Sequence, residues 1–135
     1  HCVTRRQRQM CIRDSQVAGF PNMFFLTGPG SPSVLTNMPR AIEQHVDWVT
    51  DCISHVESNK LNSVEATPEA VESWVDHVND TANKTLLPKA KHSWYLGANV
   101  PGKPRVFMPY TGGLNNYRDI CNKIAKDWYA GFLFS

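Results

Sequence analysis

Apolar residues between Ile42 and Val56 recur at alternating steps of four and three: Ile42, Val46, Val49, Ile53 and Val56. Ala41, His45, Trp48 and Cys52 form a second stripe beside them. That spacing predicts a deeply packed helix with a wide apolar face. Thr36 or Asn37 supplies its N-cap oxygen, and Pro39 falls in the first turn, where a missing N–H leaves no bond unmade. Thr67-Pro68-Glu69 repeats the signal with a capping hydroxyl, a proline and an acid near the positive end of the dipole. The stripe that follows, Val71, Trp74, Val75, Val78, Ala82 and Leu86, predicts a second helix, closed by Pro88. A last helix, roughly Leu114 to Tyr129, carries Tyr117, Ile120, Cys121, Ile124 and Trp128 on one side, and Gly131 ends it.

Strand signals are scarcer. Met23 to Leu26 is a short, continuously apolar run between Pro21-Asn22 and Gly28-Pro29, as expected of a strand covered on both faces. Arg105 to Met108 is at most one further short strand, and Pro109, which lacks an N–H donor, fits only its end or an edge position. Three broad helix faces therefore face one or two short strands, whereas a parallel sheet needs several neighbours. The fold class this implies is α/β, with the chain an incomplete, mostly helical part of it.

Two regions stand out as places for a ligand. Gly19 to Asn37 reads as an apolar run, a glycine-proline turn and a helix start. In open α/β sheets such a junction presents free backbone N–H groups that suit a phosphate, a carboxylate or an electron-rich ring. Lys89 to Gly113 is a long glycine- and proline-rich connection, and segments of that kind are often lids or binding loops. Trp94 within it either anchors the loop to the core or touches a ligand. His45 lies in an apolar helix face, where a hydrogen-bonded core histidine is the favoured reading over a catalytic one.

Composition narrows the function classes. The 135 residues are 41% hydrophobic, enough for one domain with a core. The net charge is +2, but residues 1 to 15 contribute +3 through Arg5, Arg6, Arg8 and Arg13 against Asp14, and the remaining 120 sum to −1. The basic excess belongs to one short end, so the body offers no nucleic-acid footprint. Cys2, Cys11, Cys52 and Cys121 form no C-x-x-C pair, and the five histidines have no H-E-x-x-H spacing, which argues against a metal site or a disulfide framework. No apolar run has the ~20 residues of a membrane helix, and no leader pattern is present, so the default location is cytoplasmic. Residues 1 to 16 have no period or cap and are read as an extraneous or disordered basic tail ahead of the patterned body, 17 to 135.

At the turn and the long loop the sequence becomes recognisable. GFPNMFFLTGPGSPSVLTNMPRAIEQHVDWV, then SWYLGANVPGKPRVFMPYTGG, then NNYRDIC and YAGF, in that order, resemble the C-terminal segment of Baeyer–Villiger monooxygenases, nearest to those acting on aryl or bulky ketones. The resemblance runs from about Val17 nearly to Ser135. It implies an enzyme with two dinucleotide-binding domains that uses FAD, NADPH and dioxygen. In such an enzyme a flavin C4a-peroxide attacks a ketone carbonyl to give an ester or lactone, with the cofactor performing the hard chemistry.

Carried onto residues, the resemblance implies that backbone amides near Asn37 and Met38 face the flavin's pyrimidine edge. Ser33, Val34, Leu35 and Met38 match the substrate-pocket bulge. Trp94 matches the tryptophan of the mobile loop, about 89 to 113 here, that folds over NADP. Neither G-x-G-x-x-G fingerprint, nor the F-x-G-x-x-x-H-x-x-x-W-P signature, nor the family's catalytic arginine is present, and Arg40 and Arg105 lack the surroundings to replace that arginine. The chain is therefore expected to supply no catalytic residue, to lack the N-terminal part of its enzyme and to be inactive alone. The competing readings are a stand-alone helical interaction module whose basic arm binds nucleic acid, and an independent flavin-binding domain without catalysis.

Overall fold

The computed structural model describes residues 16–32, 35–90, 94–96 and 107–135. Among the described residues, three α-helices carry the fold: α1 (Met38–Ser58), α2 (Pro68–Asn83) and α3 (Leu114–Lys126). Two three-residue strands, β1 (Val64–Ala66) and β2 (Phe132–Phe134), pair antiparallel with Val64 opposite Phe134 and Ala66 opposite Phe132. Short 3-10 turns occupy Leu87–Lys89 and Trp94–Leu96.

The N-terminal boundaries of α1 and α2 fall at the expected positions, but the N-cap oxygen expected of Thr36 or Asn37 is not supplied: the Asn37 side chain makes no capping bond, and of the two helices only α2 has a side-chain cap. Asn37 is the N-cap of α1, with Pro39 in its first turn. Thr67 caps α2, its hydroxyl oxygen accepting the Ala70 N–H at 3.1 Å. The two stripes of α1 then part company. Ala41, Gln44, His45, Trp48 and Cys52 are buried, whereas Ile42, Val46 and Ile53 stay exposed. The second stripe is the buried one, and of the first stripe Val49 and Val56 are partly buried against the core.

The core is aromatic and joins distant segments. The Trp48 indole N–H donates to the Cys121 carbonyl at 3.1 Å, tying α1 to α3, and its ring meets Tyr129 edge-on at 5.4 Å. Trp74 of α2 packs on Tyr110 at 5.4 Å and on Tyr117 of α3 at 5.8 Å. Cys52 and Cys121 are buried, as expected of small core residues, and burial pushes the Cys52 thiol up to about 12.

Several expectations are corrected. Met23 to Leu26 is not a strand: a lone bridge joins Phe24 to Gln16, and Phe25 and Leu26 are exposed. Asn22 (φ 61°) and Thr27 (φ 54°) bracket the run in left-handed conformations, which leaves no length for a ladder. Arg105 and Val106 lie outside the described residues, and Phe107 and Met108 are not strand either. α2 stops at Asn83, before Leu86, which is exposed, and Pro88 sits in the 3-10 turn beyond it. α3 stops at Lys126, and the left-handed Trp128 (φ 50°) and Tyr129 (φ 53°) follow. That reversal turns Trp128 outward, 75% exposed, and buries Tyr129 in its place. Gln16, placed with the tail in the sequence reading, is fully buried, and its Nε2 donates to the Val64 carbonyl at 3.3 Å. Residues 1 to 15 lie outside the described residues.

Candidate functional site

The glycine-proline turn is fixed by partners far away in sequence. Its entry residue, Thr27, is left-handed, and Gly30 (φ 83°) adopts the conformation glycine favours. Ser31 closes the turn on the Gly28 carbonyl through its amide at 3.2 Å and its hydroxyl at 2.7 Å. The Gly30 N–H then donates to the Met108 carbonyl at 2.8 Å, and the Tyr110 N–H to the Ser31 carbonyl at 2.9 Å. These two bonds staple the turn to the exit of the long loop.

The same exit segment holds the 3-10 turn at Trp94–Leu96. The Met108 N–H reaches the Tyr95 carbonyl at 3.3 Å, and Leu96 and Phe107 are buried with Ala82 near the end of α2. Tyr95 packs against this group, its ring tilted and 6.2 Å from that of Phe107. Leu96, Tyr95 and Phe107 thus anchor the turn that contains Trp94, whose side chain lies outside the described residues. The two regions singled out in the sequence are brought together through Met108.

Beyond the turn, α1 begins with an open end. The Asn37 side chain makes no capping bond, the first turn has no acid, and the Asn37 carbonyl accepts the Ala41 N–H at 3.1 Å. Asn37, Met38, Pro39 and Arg40 are exposed, as is Leu35. An acid-free, uncapped helix N-terminus leaves its positive end available to negative charge. Ser33 and Val34 lie outside the described residues. Asn37, Met38 and Leu35 are brought to one end of α1.

Sequence reasoning left His45 as a core residue, and the structure gives it a partner at the site. The ring is 2% exposed, and its Nδ1 accepts the Thr27 N–H at 2.9 Å. Tyr117 of α3 lies against it, ring centres 5.4 Å apart. Burial lowers the His45 pKa from 6.5 to about 4, so the ring is neutral near neutral pH. No local pattern could have announced this bond, because its two ends are 18 residues apart on segments of different type. Among the described residues no group of three His, Cys, Asp or Glu side chains is placed to hold a metal ion, and no helix is long and apolar enough to cross a membrane.

No model of a known protein family matches the chain. Individual proteins do. Cyclohexanone 1,2-monooxygenase of an Acinetobacter species is 42% identical over 116 residues, covering 86% of this chain and 21% of that protein. A Baeyer-Villiger monooxygenase of Pseudooceanicola batsensis is 40% identical over 114 residues, 84% of this chain and 20% of the relative. The crystal structure of cyclohexanone monooxygenase from a Rhodococcus species bound to NADP+ superposes with a TM-score of 0.84 at 41% identity, over 90% of this chain and 22% of that one. Fold and homology together define a partial, C-terminal part of a flavoprotein monooxygenase with two dinucleotide-binding domains. Within that class, the chain belongs with the Baeyer–Villiger monooxygenases, as the counterpart of one segment of them. It spans about a fifth of the length of the relatives it matches.

Proposed function

We propose that this chain forms the C-terminal part of an FAD- and NADPH-dependent Baeyer–Villiger monooxygenase that converts a ketone and dioxygen to an ester or lactone. The observation that carries this reading is the open N-terminus of α1, set beside a turn that is stapled to the exit of the long loop. These residues fit a flavin at one edge. Uncapped amides near Asn37 and Met38, with no acid in the first turn, suit the pyrimidine side of the ring, where negative charge gathers on reduction. Bound flavin supplies the activation of dioxygen. The chain's own contribution is to hold that edge, to shape the ketone pocket with Ser33, Val34, Leu35 and Met38, and to place Trp94 over the nicotinamide cofactor. A cytoplasmic setting goes with this reading, and so does inactivity until the remaining part of the enzyme is joined.

The test is to build residues 17–135 into the Acinetobacter cyclohexanone monooxygenase in place of the homologous segment. The hybrid should retain FAD and oxidise NADPH in a cyclohexanone-dependent manner, while the 135-residue chain alone should hold no FAD. A folded, FAD-loaded hybrid without ketone-dependent turnover overturns the reading, as does FAD binding by the chain alone at micromolar affinity or better. In the active hybrid, Trp94→Ala should raise the KM for NADPH and slow turnover, and Leu35 substitutions should mainly change ketone preference.

A further inference from the structure

We propose that His45 is a positioning residue for the flavin-facing loop: by accepting the Thr27 amide at Nδ1, it closes that loop on the body of α1. The turn and the helix N-terminus are then presented to the isoalloxazine as one piece. The proposal rests on the flavin-facing reading of this site.

The hydrogen bond joins residues 18 apart. Between its ends lie Ser33, Val34, Leu35, Asn37 and Met38, all the residues assigned to flavin or ketone. One end of this segment is continuous with α1, its middle is held by the Gly30–Met108 and Ser31–Tyr110 bonds, and the His45 bond fixes the entry residue Thr27 ahead of that staple. Thr27 is β-branched and left-handed, a conformation such residues adopt only when the surroundings impose it. The His45 bond is one such imposition. The imidazole is itself fixed, buried between the turn and the Tyr117 ring on α3. For Nδ1 to accept, the ring must be neutral with its proton on Nε2, and burial holds it neutral. A histidine serving only as core filling would need no acceptor aimed at the entry of this turn.

The test uses the assembled hybrid enzyme. His45→Phe keeps an aromatic ring and removes the acceptor. His45→Asn keeps a carbonyl oxygen close to the place of Nδ1. With the Phe variant, Thr27 amide hydrogen exchange should accelerate about tenfold. The preference of the site for reduced over oxidised flavin should fall about tenfold, a drop of about 30 mV in the two-electron potential. The KM for NADPH should not move, and the Asn variant should recover most of both effects. If the Phe variant does not accumulate as folded protein, His45→Gln, whose amide reaches the Nε2 place instead, should show the same two shifts. Faster exchange at Thr27 with an unmoved flavin potential overturns the proposal, and so does an Asn variant that behaves like Phe. A wild-type hybrid whose Asn37 and Met38 amides exchange equally fast with and without bound FAD overturns the flavin reading itself. That outcome is visible before any variant is made.

Discussion

The two faces of α1 are built from similar residues and have opposite fates. On one, Ala41, His45, Trp48 and Cys52 disappear into the aromatic core with α3. On the other, Ile42, Val46 and Ile53 stand exposed. Branched apolar side chains on a helix surface are stabilised by being covered, at roughly 25 cal/mol per Å² removed from water. The inner face is satisfied within the chain; on the proposed reading of the chain as part of a larger enzyme, the outer face is the one the remainder would cover. The difference teaches where this segment ends energetically: halfway through one helix, along its axis.

The largest expected effect falls on the inner face. Trp48→Ala removes a buried ring and its bond to the Cys121 carbonyl, and should cost about 3–5 kcal/mol in urea unfolding. A much smaller loss would mean that the inner face is not the core. Next comes pH. His45 titrates near 4 in the folded protein against an ordinary 6.5, so in that window the unfolded chain binds the extra proton. Its contribution is complete above the ordinary value, declines as pH falls, and levels off below the folded value, about 3 kcal/mol in all. The pH dependence of unfolding should therefore be shallower for His45→Asn than for wild type across this range.

Ile53→Ala sharpens the comparison directly. In the 135-residue chain it should change stability by less than about 0.5 kcal/mol, and in the assembled hybrid it should cost about 2 kcal/mol. Equal effects in both would erase the distinction between the faces. Smallest is Thr67→Ala, about 1 kcal/mol from the lost cap on α2, which should be the same in both settings.

Helix starts were legible because caps and prolines act locally: Asn37 with Pro39 and Thr67 with Pro68 mark their own positions. Which stripe of α1 faces inward was not legible, since both are apolar and the periodicity of 3.6 fits either. β1 and β2 escaped notice because three residues are too few for an alternating pattern, and their pairing joins the middle of the chain to its last residues. MFFL misled for the converse reason. Its composition is that of a covered strand, yet no partner strand within the described residues lies beside it beyond the bridge at Gln16. At the site, the position of the α1 start could be read from the sequence, whereas its missing side-chain cap, the staple to Met108 and the Thr27–His45 bond could not. The staple and the bond each depend on two segments meeting in space.

Gly112 bears on how this segment can change over generations. A methyl group there would run into the hydroxyl end of the Tyr110 ring, which is itself fully buried and already accepts a bond from Asn116 Nδ2 at 2.6 Å. Tyr110 is 0% exposed and packed on Trp74 and Tyr117, so a side chain at 112 has to be accommodated by moving a buried ring. A shuffled library with a crossover between 110 and 116 should lose viable members wherever it pairs this tyrosine with a larger residue at 112.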